Sequence, residues 1–235
     1  MKGIITSCAV IAVLLLSVGV KTANGTVFNL ANDWSDVQNP NGAWSLNYND
    51  TIISNHFYQA AQGYWGNYTS LDGSFSKAVY NHTSHDWLIG DVAIHALSIG
   101  GGYPGSSIFT NVKWTSPSDG IIDISGQAWD ALIAYGRDVR WSLKLNNTVL
   151  AECSSVYGLF RTNPAAQFNQ NLVGDSSLSN ISISAGDVVQ FTAIAKTNYG
   201  HFVGVNMEIN LSPVPEPATI CLLGLGALSL LRRKS

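Results

Sequence analysis

Cysteine, basic residues and glutamate are all scarce where they would matter most. Of three cysteines only Cys153 lies between residues 26 and 212, so that stretch has no internal disulfide and depends on packing. Seven Lys/Arg stand there against fourteen Asp/Glu, a net charge of −7, which argues against nucleic acid as a partner. Glutamate is reduced to Glu152 and Glu208 in the same stretch, and neither H-E-x-x-H nor G-x-S-x-G occurs, so the usual metalloprotease and serine hydrolase signatures are missing. The expectation is a non-catalytic protein. Twelve Asp still leave room for the carboxylate pair of a glycan hydrolase.

Helical periodicity is almost absent as well. Short alternating apolar runs are punctuated by Gly, Asn, Asp, Ser and Pro clusters, which is an all-β pattern. Strands are expected at residues 27–30, 43–48, 56–58, 77–80 and 87–99, and more clearly at 107–114, 121–129, 137–145, 148–153, 179–184, 188–195 and 201–211. Ser116-Pro117-Ser118-Asp119-Gly120 has turn chemistry, Asn146-Asn147 suits a tight hairpin, and Ala185-Gly186-Asp187 joins two more strands. Strands at this spacing predict a two-sheet antiparallel β-sandwich of jelly-roll type.

What is plentiful is aromatic: seven Trp and nine Tyr. Ring faces stack on sugar C–H bonds while Asn, Gln and Asp read hydroxyls. Tyr64, Trp65 and Tyr68, in a Gly/Asn-rich stretch, are the candidate sugar platform, with Trp87 beside His85 and Asp86 as a second; Trp114, Trp129 and Trp141 fall in apolar strands and are expected to fill the core. Gly100 to Gly105 matches G-x-G-x-x-G, but a strand pattern follows it instead of a helix, so it reads as a loop. His82-Thr83-Ser84-His85-Asp86 has metal-ligand types with no second cluster nearby, and reads as a solvated loop. No cofactor is expected. Asp119, Asp123, Asp130 and Asp138 are candidate oxygen donors for a structural calcium, although no D-x-D-x-D loop occurs.

Both ends read as targeting segments. Lys2, an apolar run from Ile4 to Val20 and small residues up to Gly25 predict a signal peptide over residues 1–25. At the other end, Pro213, Pro215 and Pro217 stiffen an exposed segment. An uncharged run from Ala218 to Leu231 follows, then Arg232, Arg233 and Lys234, whose charges would hold the end on the cytoplasmic side. Fourteen helical residues span about 21 Å against a hydrocarbon core of about 30 Å, so a transient insertion in the inner membrane is expected.

Val214-Pro215-Glu216-Pro217, the short apolar helix and the basic end resemble a PEP-CTERM sorting signal over residues 213–235. The resemblance implies an exported protein processed by an exosortase-type transpeptidase. Between the two ends, Ile94-His95-Ala96, Val112 to Gly120, Ile124 to Asp130 and Ser184 to Asp187 resemble a passenger domain of PEP-CTERM proteins that is similar to carbohydrate-binding β-sandwich modules. The expectation is a domain at residues 26–212 that reaches the cell surface or exopolysaccharide matrix and interacts there with extracellular polysaccharide. A structural or adhesive matrix protein and an extracellular glycan hydrolase are the alternatives. A matrix structure predicts no concave aromatic cleft, hydrolysis predicts two inward carboxylates in a groove, and binding predicts exposed aromatics without that pair.

Overall fold

The computed structural model describes residues 25–66, 71, 73–82, 86–97, 109–132, 136–197 and 199–213. Residues 25–212 form one compact unit. Residues 1–24 of the expected signal peptide, the expected membrane segment 218–231, residues 100–105, His85 and Tyr68 lie outside the described residues.

The strands run in chain order as β1 (Thr26–Asn29), β2 (Trp44–Tyr48), β3 (Thr51–Ile52), β4 (His56–Gln59), β5 (Gln62–Trp65), β6 (Phe75–Lys77) and β7 (Val92–Ala96). They continue as β8 (Thr110–Thr115), β9 (Gly120–Asp130), β10 (Val139–Leu145), β11 (Thr148–Cys153), β12 (Ile181–Ile183), β13 (Val188–Ala195) and β14 (His201–Ser212). Two 3-10 turns, Pro164–Ala166 and Phe168–Gln170, are the helical elements among the described residues. The expected all-β, two-sheet antiparallel architecture is present. One sheet has the order β12-β9-β14-β7-β6-β5-β4, with β1 also paired to β14; the other has the order β11-β10-β13-β8-β2-β3.

Alternation explains the longest strand. Val203, Val205, Met207, Ile209 and Leu211 of β14 are buried in the main core, while Gly204, Asn206, Glu208 and Asn210 fall on the opposite side, as a period of two requires. Trp44, Trp114, Trp141, Phe168 and Phe191 join the same core. Trp114 and Trp141 therefore sit where their apolar strands placed them.

A second apolar cluster holds Tyr64, Trp87, Ala93, Trp129 and Phe202. Phe202 and Trp129 are on the side of their strands opposite to the main core, so this cluster covers the outer face of the first sheet. Residues 86–91, ahead of β7, pack on it through Trp87 and are fastened by Arg161. Its Nε meets Asp86 Oδ1 at 2.6 Å, its Nη1 meets Asp91 Oδ1 at 3.2 Å, and its guanidinium lies 4.6 Å from the Trp129 ring centre. Trp129 Nε1 donates to the Asp86 carbonyl at 2.5 Å. Burial opposes the charge on Arg161, but the hydrogen bonds and charges of Asp91 and Asp86 outweigh it and hold its pKa above the ordinary arginine value.

Three departures from the expected strands stand out. Residues 87–91 form a turn ahead of β7, closed by Leu88 N–H donating to Asp91 Oδ2 at 2.6 Å. The expected strand 77–80 is displaced to Phe75–Lys77. The stretch around Tyr64 and Trp65 is strand β5, paired with both β4 and β6.

Candidate functional site

The expected sugar platform is corrected by burial. Tyr64, Trp65 and Trp87 are 6%, 4% and 2% exposed. Strand β5 has covered faces on both sides, so Tyr64 enters the outer cluster and Trp65 the main core. The Trp65 indole donates to the Ser35 carbonyl at 2.8 Å. Trp87 is stacked on His82 at 4.1 Å, with Phe202 at 5.0 Å. Burial pushes the Tyr64 hydroxyl up to about 12, with Tyr80 adding to the rise and a hydrogen bond from Gln62 opposing it. None of the three rings is open to stack on a ligand. Tyr68, the sorting-motif residues Val214, Pro215, Glu216 and Pro217, and the terminal Arg232, Arg233 and Lys234 lie outside the described residues.

The four carboxylates considered for calcium each serve a different local structure. Asp119 accepts from Ala185 N–H and Asp123 from Asn180 N–H, both at 2.8 Å. Asp138 accepts from Lys196 Nζ and Ser155 Oγ at 2.6 and 2.8 Å. Asp130 accepts from the Gly158 N–H and sits 2.7 Å from His201 Nε2. The Asp130–His201 pair is sealed at 3% and 1% side-chain exposure. It braces the protein interior and is not open to a substrate. Among the described residues no group of three His, Cys, Asp or Glu is placed to hold a metal ion.

Six of the seven tryptophans are buried. The exception is Trp34, which is half-buried. It follows β1 in a segment that the sequence shapes closely. The Asn29 side-chain oxygen accepts from the Ala31 and Asn32 N–H groups at 3.2 and 3.1 Å, and Asp33 N–H donates back to the Asn29 carbonyl at 2.8 Å. This is an Asx-type turn. It reverses the chain and leaves Trp34 beyond the end of the strand. Asp33 Oδ2 accepts from Asn29 N–H and from the Trp44 indole at 3.0 and 2.9 Å, tying the turn to β2. Asn41 Nδ2 donates to the Asp33 carbonyl at 2.8 Å.

Trp34 packs against the main core and also lines a cleft of about 480 Å³ with Thr26, Asn32, Asp33, Asn41 and Gly42. That volume lies within the roughly 300–1,000 Å³ of small-ligand sites. Asn32 and Thr26 are exposed and present an amide and a hydroxyl at its rim. Asp33 is its one carboxylate, and Oδ2 is already engaged. Gly42 has φ +57 and open space where a Cβ would stand. Sequence reading passed over Trp34. The available signal was its setting, Asn32-Asp33-Trp34-Ser35-Asp36, polar on both sides, unlike the apolar strands around Trp114 and Trp129.

Residues 213–235 match the PEP-CTERM protein-sorting motif. The chain thus carries the address of an exported protein that an exosortase handles and that is transiently anchored in the membrane. Among the described residues no helix is long and apolar enough to cross a membrane. No curated protein matches the chain.

Proposed function

We propose that the exported, exosortase-processed chain is a non-catalytic, polysaccharide-interacting β-sandwich of the cell surface or exopolysaccharide matrix, and that it holds sugar in the Trp34 cleft. The observation that carries this reading is the exposure pattern: one tryptophan out of seven is left unburied, and it lines a cleft with amide and hydroxyl groups around it. An aromatic face beside Asn and Thr is the chemistry that recognises a sugar ring. The lone, engaged carboxylate Asp33 supports binding over glycosidic hydrolysis, which needs two.

Strand order supports a jelly-roll reading of the fold. From β7 onward the strands fall into two four-stranded blocks, β7-β14-β9-β12 and β8-β13-β10-β11, and the chain crosses between them at every step except the β10–β11 hairpin, the arrangement of many lectin-type domains. Thr26 pairs with Leu211, so the first and last strands of the described unit lie side by side.

The test is a glycan array probed with the full-length chain in a non-ionic detergent, the host's own exopolysaccharide included. Saturable binding that Trp34→Ala weakens by about 2 kcal/mol, roughly thirtyfold, is the expected result. Binding that survives Trp34→Ala, or no binding by folded protein, rejects this reading.

A further inference from the structure

The seven cations of the acidic stretch from 26 to 212 are not used alike. Arg161 is held by Asp86 and Asp91, Lys113 by Asp50 at 2.8 Å and Lys196 by Asp138 at 2.6 Å. Lys77 donates to the Ala31 carbonyl at 2.7 Å, and Arg137 donates to the Gly200 carbonyl at 2.9 Å beneath Tyr199. Arg140 and Lys144 remain, with no side-chain hydrogen bond or ion pair to the described residues. Both line one cleft of about 340 Å³, together with Ser142, Glu152, Ser154 and Ile194.

Strand geometry places them there. Arg140, Ser142 and Lys144 alternate with the buried Val139, Trp141 and Leu143, so they share the outer face of β10. Their cross-strand partners on β13 are Ile194, Thr192 and Gln190, and Ser142 faces Glu152 on β11. The register between β10 and β11 shifts at Leu143/Lys144, and a bulge of this kind bends the strand that carries it. At about 3.4 Å per residue the two cations root about 14 Å apart. A single small ion engages one of them; an extended chain engages both. The site lies at the opposite edge of its sheet from β2, the strand tied to the Trp34 turn.

We propose that this cleft binds a carboxylate-bearing polysaccharide. Arg140 receives a carboxylate through its planar fork and Lys144 pairs with a second along the chain. Ser142 and Glu152 exchange hydrogen bonds with the intervening hydroxyls. In a stretch of net charge −7, two unpaired cations on one face are the feature that admits an acidic polymer, and Glu152 between them limits its affinity.

Isothermal titration of the full-length chain in a non-ionic detergent tests this, with oligogalacturonate and oligomannuronate as ligands, their neutral methyl esters and inorganic phosphate as comparators. The acidic oligomers are expected to bind about tenfold or more tightly than their esters, and the Arg140→Ala, Lys144→Ala double variant to lose that advantage. Rising salt should weaken the interaction, and Glu152→Gln should strengthen it. Trp34→Ala is expected to leave the preference for acid over ester intact, which separates this site from the Trp34 cleft. Equal affinity for acid and ester, no binding of the acidic oligomers, phosphate binding as tight as the oligomers, or an unchanged double variant with native circular dichroism each overturns the assignment.

Discussion

Gly204 of β14 stands directly across the ladder from Trp129 of β9, and the indole occupies the space where a side chain would stand. A Cβ built on Gly204 would come within 2.2 Å of the ring. The glycine is therefore the floor on which the outer aromatic cluster rests. Gly204→Ala forces Trp129 and its Arg161 partner to move, and overpacking of this kind costs about 1–3 kcal/mol. Urea unfolding should show a lower midpoint with an unchanged slope; an unchanged midpoint would mean that the ring is not held against the strand.

Arg161 fastens residues 86–91 over that cluster. Arg161→Met keeps much of the stem packing and removes the charge, leaving Asp86 and Asp91 without their shared donor. Charge-assisted hydrogen bonds contribute about 1.5–3 kcal/mol, and a loss in that range is expected. Amide hydrogen exchange should speed up at residues 86–91 ahead of the rest of the sheet. Uniform exchange across the sheet would contradict the clamp.

The Asp138 carboxyl has a depressed pKa. Burial works against its ionisation, but the hydrogen bonds from Lys196, Ser155 and Tyr157 outweigh it and hold the group below the usual carboxylate range. A depressed folded pKa gives stability that is present above the unfolded value and lost as pH falls through the folded one. Asp138→Asn should thus lower the thermal midpoint at neutral pH, by a small amount because the Lys196 side chain is 41% exposed. The gap between variant and parent should close as pH falls below the ordinary carboxylate range. A gap that widens in acid would reverse the sign of this account.

Strands with one covered face were legible in the sequence. Val188–Ala195 and Thr148–Cys153 occur at their expected bounds, because alternation records which side is wet. Strand β5 was not legible, because Gln62, Gly63, Tyr64 and Trp65 are all buried and no alternation survives. Its hairpin was hidden too: Ala60 and Ala61 turn at φ +51 and +66, where Asn-Gly would be the usual signal. Trp34 was missed because exposure is a tertiary property; Trp44, ten residues on in a similarly polar region, is 4% exposed. The sorting motif needed no folding to be read, since its signal is linear.

The same hairpin yields a further prediction. Alanine in the left-handed region costs about 1–2 kcal/mol per residue, so Ala60→Asn with Ala61→Gly should raise stability by a similar amount. A scanning calorimeter would record a higher melting temperature. A lower one would mean that the turn does not have this geometry in solution.

Acrylamide quenching of tryptophan fluorescence, with and without a glycan selected on the array, tests the Trp34 cleft most directly. With six of the seven indoles buried, the free protein is expected to show one readily quenched fraction, absent from Trp34→Phe. Saturating glycan should shield that fraction. A bound glycan that leaves the quenching unchanged would place the sugar elsewhere and contradict the role assigned to Trp34.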